Sequence, residues 1–249
     1  MRVVAHLPEN ARALIARFWP GPLTLVLQKH SDVPGIVTSG LPTVAVRMPS
    51  HAVARELLER ADVPLAAPSA NPFGYLSPTR AEHVERMLGE RVDMILDGGP
   101  TPLGVESTIV LLEPHPTVLR YGALAVEEIE AVIGPLAREL NDAQEPLAPG
   151  RLEQHYAPTT PIRLLEGSAS ESERHGAALL AFREGQPGYD AVRVLSPKGD
   201  VREAATHLFE YLHELDALGL SRIDAQMVPA QGVGAAIVDR LRRASRQAH

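Results

Sequence analysis

Apolar and polar positions follow two different periods along the chain, and together they predict an α/β protein. Short apolar runs rich in β-branched residues predict strands, whereas apolar residues three and four positions apart predict amphipathic helices. The predicted strands are "LTLVLQ", "TVAVRMP", "PLAA", "VDMILDGG", "STIVLLE", "TVLRYG", "HGAALLAF", "AVRVLS" and "SRIDAQMVP". The predicted helices are residues 12–18, 50–61 (with Ser50 as its cap), 80–88, "AVEEIEAVIG", "DVREAATHLFEYLHELDALG" and "GAAIVDRLRRASR".

The pattern changes after residue 135, and this change predicts two domains. The stretch that follows is "PLARELNDAQEPLAPGRLEQHYAPTTP", which has five prolines, many polar residues and no clear period, as is typical of a linker. We therefore predict one domain over residues 1–136, a linker over 137–160 and a second α/β domain over 161–249. The linker either acts as a lid that orders when ligand binds, or is a solvated tether whose tyrosine packs on the nearer domain.

The composition is that of an ordinary globular protein and narrows the classes of function. Of 249 residues, 45% are apolar, and the absence of cysteine excludes disulfides and thiolate metal sites. A net charge of −7 argues against a general electrostatic grip on nucleic acid, so we expect no stable nucleic-acid binding. No apolar run reaches the length of a membrane span, so we expect no membrane association and a cytoplasmic location.

A polar loop interrupts the pattern between "PLAA" and the next predicted helix. It contains Ser69 and Asn71 between two prolines, which cannot continue a strand ladder. Ser77 could cap the helix with a proline at its first position, or Thr79 could cap it in a capping box with the glutamate three residues later. In both cases, free backbone N–H groups at the helix start would attract an anion such as phosphate. These residues alone favour ordinary turn and cap hydrogen bonds over a ligand site.

A second loop and two arginines strengthen the case for an anion site. The loop is "DGGPTPLGVEST", which places glycines and Ser107 at strand ends, as in phosphate and carboxylate sites and also in ordinary loops. Arg47 and Arg120 each terminate an apolar strand, where an arginine is usually solvated. Two such arginines beside two hydroxyl-rich loops indicate bidentate recognition of an anion.

Ordered motifs along nearly the whole chain resemble those of the L-threonylcarbamoyladenylate synthases, a family with a YrdC-type domain. These motifs are "FWPGPLTLVL", "TVAVRMP", "PLAAPSAN", "SPTRAEHV", "ILDGG", "GVESTIV" and "LRYG". In addition, "APGRLEQHYAP" resembles the interdomain linker, and "GVGAAIVDRLRRAS" resembles the end of the C-terminal domain in the two-domain branch of the family. The resemblance implies a twisted mixed sheet with helices, followed by a smaller Rossmann-like α/β domain.

The resemblance also implies a reaction. The expected enzyme is a nucleotidyltransferase that makes L-threonylcarbamoyl-AMP and pyrophosphate from L-threonine, bicarbonate and ATP, with Mg²⁺ as cofactor. A downstream threonylcarbamoyl transferase would then use the product to make threonylcarbamoyladenosine in tRNA. No catalytic side chain and no protein metal ligand is expected, because positioning and charge neutralisation suffice when a carbamate oxygen attacks the α-phosphorus. Histidines such as His83 lack metal-ligand spacing and are expected at the surface or in caps.

Residues at the matching positions are the implied binding residues. Those that match L-threonine contacts are Arg47, Ser69 and Ser107. Those that match contacts to the nucleotide are Thr43, Asn71, Thr79, Arg120 and Tyr156. Of these, Thr79 matches a phosphate contact, and Tyr156 matches a tyrosine that closes over the nucleotide.

The start of the chain departs from the family pattern. The stretch "MRVVAHLPENARALIAR" matches neither the family's "PTET-YGL" type segment nor its lysine-x-arginine motif, so the resemblance implies that an N-terminal part of the catalytic domain is missing. We therefore expect little pyrophosphate release from this chain. One alternative is an inactive nucleotide- or RNA-binding remnant, although the acidic charge disfavours RNA. Another is an interaction module in the C-terminal domain, whose "PAQGVGAAI" could hold a phosphate but is more typical of a packing turn.

Overall fold

The computed structural model describes residues 3–138 and 156–246, which form two compact units. The first unit contains residues 3–68 and 106–138, and the second contains residues 69–105 and 156–246. Each unit is α/β, with a mixed sheet in the first and a parallel sheet in the second, which confirms the predicted fold class. Most of the predicted linker, 137–160, lies outside the described residues, and the domain bounds stay a prediction.

The helices and strands of the described residues are as follows in chain order. The helices are α1 (Glu9–Phe18), α2 (Ala52–Ala61), α3 (Ala81–Leu88), α4 (Val126–Ile133), α5 (Glu171–Arg174), α6 (Val201–Asp216) and α7 (Gly234–Ala244). The strands are β1 (Leu23–Gln28), β2 (Thr43–Val46), β3 (Thr108–Leu111), β4 (Thr117–Arg120), β5 (Ala137–Arg138), β6 (Ile162–Leu165), β7 (Ala177–Ala181), β8 (Ala191–Val194) and β9 (Arg222–Gln226). Short 3₁₀ turns cover Gly35–Thr38 and Gly89–Arg91.

A five-stranded mixed sheet organises the first unit. Its strand order is β2-β1-β3-β4-β5, with β1 antiparallel to β2 and parallel to β3. Leu25 of β1 and Val110 of β3 belong to a core that also contains Leu14 of α1 and Ile129 of α4. Burial of each such side chain contributes about 1.5–3 kcal/mol before the entropy of ordering is subtracted. This core holds β1, β3 and β4 in fixed positions, and the predicted site residues Ser107 and Arg120 lie at the start of β3 and the end of β4.

Two predicted strands are not strands in the structure. The stretches "PLAA" and "VDMILDGG" have no strand partner among the described residues, and their side chains Leu65, Met94 and Leu96 are exposed. A short apolar run favours an extended backbone, but only a hydrogen-bonded neighbour makes it a strand. The predicted cap of α2 was also wrong, because that helix begins at Ala52 with His51 in the cap position.

A four-stranded parallel sheet with order β6-β9-β7-β8 organises the second unit. The predicted apolar stripe of α6 is buried at Ala204, Leu208, Leu212 and Leu215, and the Asp200 carboxylate caps this helix. Strands β5 and β6 and helix α5 were not predicted, and β5 lies within the predicted linker. The turn into α7 is tightly packed, because a Cβ on Gly234, the first residue of the helix, would lie 1.9 Å from a backbone oxygen. Within the described ranges, no helix is long and apolar enough to span a bilayer.

Candidate functional site

Ser107 and Arg120 lie side by side in the first unit, at the start of β3 and the end of β4. The Arg120 guanidinium donates to the Ser107 carbonyl oxygen from Nε and Nη2, at 3.1 and 3.0 Å. Its Nη2 also donates to Ser107 Oγ at 3.1 Å. On the other side, Ser107 Oγ lies 2.7 Å from Oγ1 of Thr24 in β1, and both hydroxyls are buried. We call Thr24, Ser107 and Arg120 the hydroxyl–guanidinium trio.

The trio prepares Ser107 to donate a hydrogen bond to a ligand. A hydroxyl group has two acceptor lone pairs and one proton. Arg120 occupies one lone pair of Ser107, and when Thr24 donates to the second, the Ser107 proton is left for an acceptor such as a carboxylate. Sequence reasoning missed Thr24, and the signal was one hydroxyl within the otherwise apolar "LTLVL". Gly122 permits this arrangement, since a Cβ there would lie 2.3 Å from the Ser107 carbonyl carbon.

Thr43 and Arg47 also lie in the first unit, at opposite ends of β2. Thr43 is the first residue of the strand and pairs with Gln28 of β1, and it is half-buried. Arg47 follows the strand directly and is exposed. Arg47 makes no hydrogen bond or ion pair with any residue in the described part of the chain. It is therefore a cation whose donors remain available to an anionic ligand.

The polar loop over residues 69–79 belongs to the second unit, with Ser69 exposed and Asn71 half-buried. The Asn71 amide nitrogen donates to the carbonyl oxygens of Pro72 and Tyr75, at 3.0 and 3.1 Å. The oxygen of the same side-chain amide, Asn71 Oδ1, is buried and has no hydrogen-bond partner among the described residues. An unsatisfied buried acceptor is costly, so Oδ1 is suited to receive a hydrogen bond from a ligand.

The helix after the polar loop starts differently from both predicted alternatives. Arg80 occupies the N-cap position of α3, with no side-chain cap hydrogen bond, so neither Ser77 nor Thr79 is the cap. Instead, the Thr79 backbone N–H and hydroxyl both donate to His83 Nδ1, at 3.2 and 3.3 Å. His83 is buried, so the surface alternative expected for it was wrong, whereas its ring accepts a donor at the start of the helix, as the capping alternative expected. The histidine ring takes up the Thr79 donors, and the helix therefore begins two residues later.

A second buried histidine, His213 of α6, lies against His83, with ring centroids 4.0 Å apart. The Arg86 guanidinium donates to its Nδ1 at 3.3 Å, so its proton is on Nε2, which donates to the Ser77 carbonyl oxygen at 3.1 Å. Burial, and next the neighbouring His83, lower the pKa of His213 to about 4. Burial is also the main reason that the pKa of His83 is lowered. Both rings are therefore neutral at pH 7 and hold the polar loop by hydrogen bonds.

Tyr156 is buried in the second unit. Its ring centroid lies 5.7 Å from that of Phe209 in α6, and the Arg240 guanidinium of α7 lies 4.7 Å from the same centroid. The next residue, Ala157, donates its backbone N–H to the Gly74 carbonyl oxygen at 2.9 Å, so this end of the linker contacts the polar loop. The remainder of the predicted lid, residues 139–155, lies outside the described residues.

The structure thus contains four of the predicted site residues in each unit. Ser107 and Arg120 are hydrogen-bonded in the first unit, which also contains Thr43 and Arg47. The second unit contains the remaining four, which are Ser69, Asn71, Thr79 and Tyr156. In the described ranges, no three histidine, aspartate or glutamate side chains are close enough to hold a metal ion. The predicted site residues supply hydroxyl, amide and guanidinium donors, which suit carboxylate and phosphate groups.

The chain is similar to known proteins over nearly its whole length. Residues 1–122 match a family model described as "Telomere recombination", and residues 124–246 match one described as "Threonylcarbamoyl-AMP synthase, C-terminal domain". The threonylcarbamoyl-AMP synthase of Pyrococcus abyssi is 43% identical over 257 residues, which cover 96% of this chain and 75% of that protein. The chain belongs to the threonylcarbamoyl-AMP synthase family.

Further members of the family agree with this assignment. The threonylcarbamoyl-AMP synthase of Bacillus subtilis is 40% identical over 254 residues, covering 96% of this chain and 73% of that protein. A crystal structure of P. abyssi Sua5 complexed with L-threonine has a TM-score of 0.91 and 40% identity, and covers 98% of this chain and 76% of that one. This match supports the two α/β domains, and the relatives' names make the family one of enzymes.

Proposed function

We propose that this chain is an L-threonylcarbamoyladenylate synthase, a nucleotidyltransferase that converts L-threonine, bicarbonate and ATP into L-threonylcarbamoyl-AMP, pyrophosphate and water. Relatives 40–43% identical over nearly the whole chain carry this activity in their names, and the P. abyssi relative was crystallised with L-threonine. The structural observation that carries the proposal is the hydroxyl–guanidinium trio. It places a buried hydroxyl, which can donate to a ligand when Thr24 donates to it, beside an arginine, and hydroxyl and guanidinium donors suit recognition of a carboxylate or phosphate.

Each predicted residue has a proposed role that its surroundings support. Ser107 donates its hydroxyl proton to L-threonine, and Arg47, a cation with no partner among the described residues, neutralises the threonine carboxylate. Arg120 neutralises charge on the nucleotide. Asn71 accepts a donor group of the nucleotide through its unsatisfied Oδ1, and Thr79 contacts a phosphate.

The bond changes explain why no side chain needs to be a nucleophile. A carbamate oxygen, formed from the threonine nitrogen and bicarbonate, attacks the α-phosphorus of ATP, and the bond to pyrophosphate breaks. Negative charge shifts onto the phosphoryl and leaving oxygens, where fixed cations and donors stabilise it. We propose that Mg²⁺ would enter with ATP, where it would neutralise charge on the phosphates.

The product implies a place in a sequence of reactions. L-threonylcarbamoyl-AMP is a mixed anhydride, so its carbamoyl group is activated for transfer and sensitive to water. We propose that a threonylcarbamoyl transferase consumes it for tRNA modification, and that both steps take place in the cytoplasm.

Titration calorimetry with wild-type protein tests the assignment. ATP with Mg²⁺, and L-threonine, should each bind, whereas Arg120→Ala and Asn71→Ala should weaken ATP binding by about tenfold or more, as expected for hydrogen bonds worth about 1.5–3 kcal/mol to charged groups. Arg60→Ala is the control, because Arg60 is an exposed α2 arginine that pairs, among the described residues, with Glu56 of the same helix. Threonine-dependent pyrophosphate release, with serine as the comparison substrate, measures the reaction itself. Unchanged ATP affinity in both site variants would overturn the assignment.

A further inference from the structure

Helix α6 has a polar stripe in addition to its buried apolar one, and the polar stripe contacts residues 69–105. Glu210 forms an ion pair with Arg80 at 2.6 Å, and His213 donates to the Ser77 carbonyl oxygen at 3.1 Å. One turn further, Asp216 accepts a short hydrogen bond from the Tyr75 hydroxyl. Near the start of the helix, a Cβ on Gly104 would lie 2.2 Å from the Ala205 carbonyl oxygen. Glu210, His213 and Asp216 follow one another at intervals of three residues, so one face of the helix holds this segment.

Asp216 occupies a position in this polar stripe that is unfavourable for the helix itself. It is the last residue of α6, where a negative charge opposes the helix dipole. Its carboxylate accepts the Tyr75 hydroxyl and also the backbone N–H groups of Thr159 and Thr160, at 3.2 and 2.7 Å. Three donors from two separate segments therefore compensate an unfavourable position.

The two segments are the polar loop and the end of the predicted linker. Tyr75 belongs to the polar loop, and its carbonyl oxygen accepts one of the two hydrogen bonds that orient the Asn71 amide. Thr159 and Thr160 close the linker before β6, and Ala157 in the same stretch is hydrogen-bonded to Gly74. Loss of the Asp216 contact would therefore release both the linker end and the residue that orients Asn71.

We propose that α6 of the C-terminal domain is a positioning element for nucleotide binding, and that Asp216 is the residue that ties the polar loop to the linker end. The inference rests on the proposed role of Asn71 and Thr79 in binding the nucleotide. It gives the C-terminal domain a task in the reaction, namely to hold the polar loop in its binding conformation. Asp216 acts through Tyr75 and is a positioning residue.

Two variants test the proposal separately. Asp216→Asn replaces one of the two carboxylate oxygens that serve the three donors with an amide nitrogen that cannot accept, and Tyr75→Phe removes only the link to the polar loop. Both should weaken ATP binding about three- to tenfold in calorimetry, the loss expected for one or two hydrogen bonds. The matched control is Glu214→Gln, which changes an α6 carboxylate that pairs with Arg193 instead. It should leave ATP affinity unchanged.

Hydrogen exchange without ligand separates positioning from general destabilisation. Asp216→Asn should raise exchange in residues 71–79 and 157–160, whereas Tyr75→Phe should raise it in 71–79 alone. Exchange raised uniformly over residues 156–246 would overturn the positioning role. So would ATP affinity that is unchanged in both variants while Arg120→Ala reduces it. Unchanged affinity in Arg120→Ala and Asn71→Ala would count against the proposed function instead.

Discussion

Acidification should loosen the second unit because it forces a proton onto buried His213. The ring is enclosed by groups from three elements, which are Tyr75 of the polar loop, His83 and Arg86 of α3, and Asp216 of its own helix. Arg86 donates to Nδ1, so a proton added there would remove an acceptor and place two cations in contact. The single aspartate nearby already accepts three other donors.

The magnitude follows from the two protonation states. In the unfolded chain a histidine titrates near pH 6.5, and in the folded protein the pKa of His213 is lowered to about 4 by burial and then by His83. Between these values the unfolded state binds a proton that the folded state does not, so stability falls as the pH drops through this window. At about 1.4 kcal/mol per pKa unit, the loss reaches about 3 kcal/mol near pH 4, and it is absent above pH 6.5. The lowered pKa of His83 acts in the same direction.

Hydrogen exchange of residues 75–88, measured at pH 7, 6, 5 and 4, is the assay, because it reports on this unit locally. At each pH, wild type is compared with His213→Gln, whose amide can still donate to Ser77 and does not titrate. Protection in wild type should decline more steeply than in the variant, by a factor approaching about 100 at pH 4, while exposed His115→Gln should follow wild type. Parallel declines in wild type and His213→Gln would refute the reasoning.

Three further predictions concern other contacts. Thr24→Val leaves buried Ser107 without its hydroxyl partner, which should weaken L-threonine binding by about 1–3 kcal/mol in calorimetry; Thr24→Ser should restore it, and unchanged binding in Thr24→Val would contradict the trio's role. Gly104→Ala would place an alanine at a strained φ of +66° with its Cβ 2.2 Å from a backbone oxygen, which should cost about 2–4 kcal/mol of stability. Hydrogen exchange over residues 100–105 should therefore rise sharply if the loop packs on α6 as described. Asp224→Asn replaces a buried carboxylate that accepts two 2.8 Å hydrogen bonds from Arg163, whose side chain is 37% exposed. The free energy of unfolding, measured by chemical denaturation, should fall by about 2 kcal/mol, and no fall would mean that solvent fully screens the ion pair.

The candidate site was predictable from the sequence only where motif order identifies residues. Ser107 and Arg120 were predicted from their motifs, and the structure places them in direct contact. Thr24 and Asp216 were not predicted, because a threonine in an apolar strand and an aspartate at a helix end have no local signature of their role. Their partners lie 83 and 141 residues away along the chain, in Ser107 and Tyr75.

The pattern of apolar and polar residues by itself determined those elements whose structure depends on residues within a single segment. Strand β1 was predicted with its observed bounds, and the apolar stripe of α6 is the buried one, since side-chain period and backbone geometry are coupled within a single segment. Only the tertiary structure decided that "PLAA" and "VDMILDGG" are not strands, and that Asp216 accepts the Tyr75 hydroxyl. Strand pairing and buried hydrogen bonds depend on groups from distant segments, and a sequence pattern does not specify which distant groups will meet.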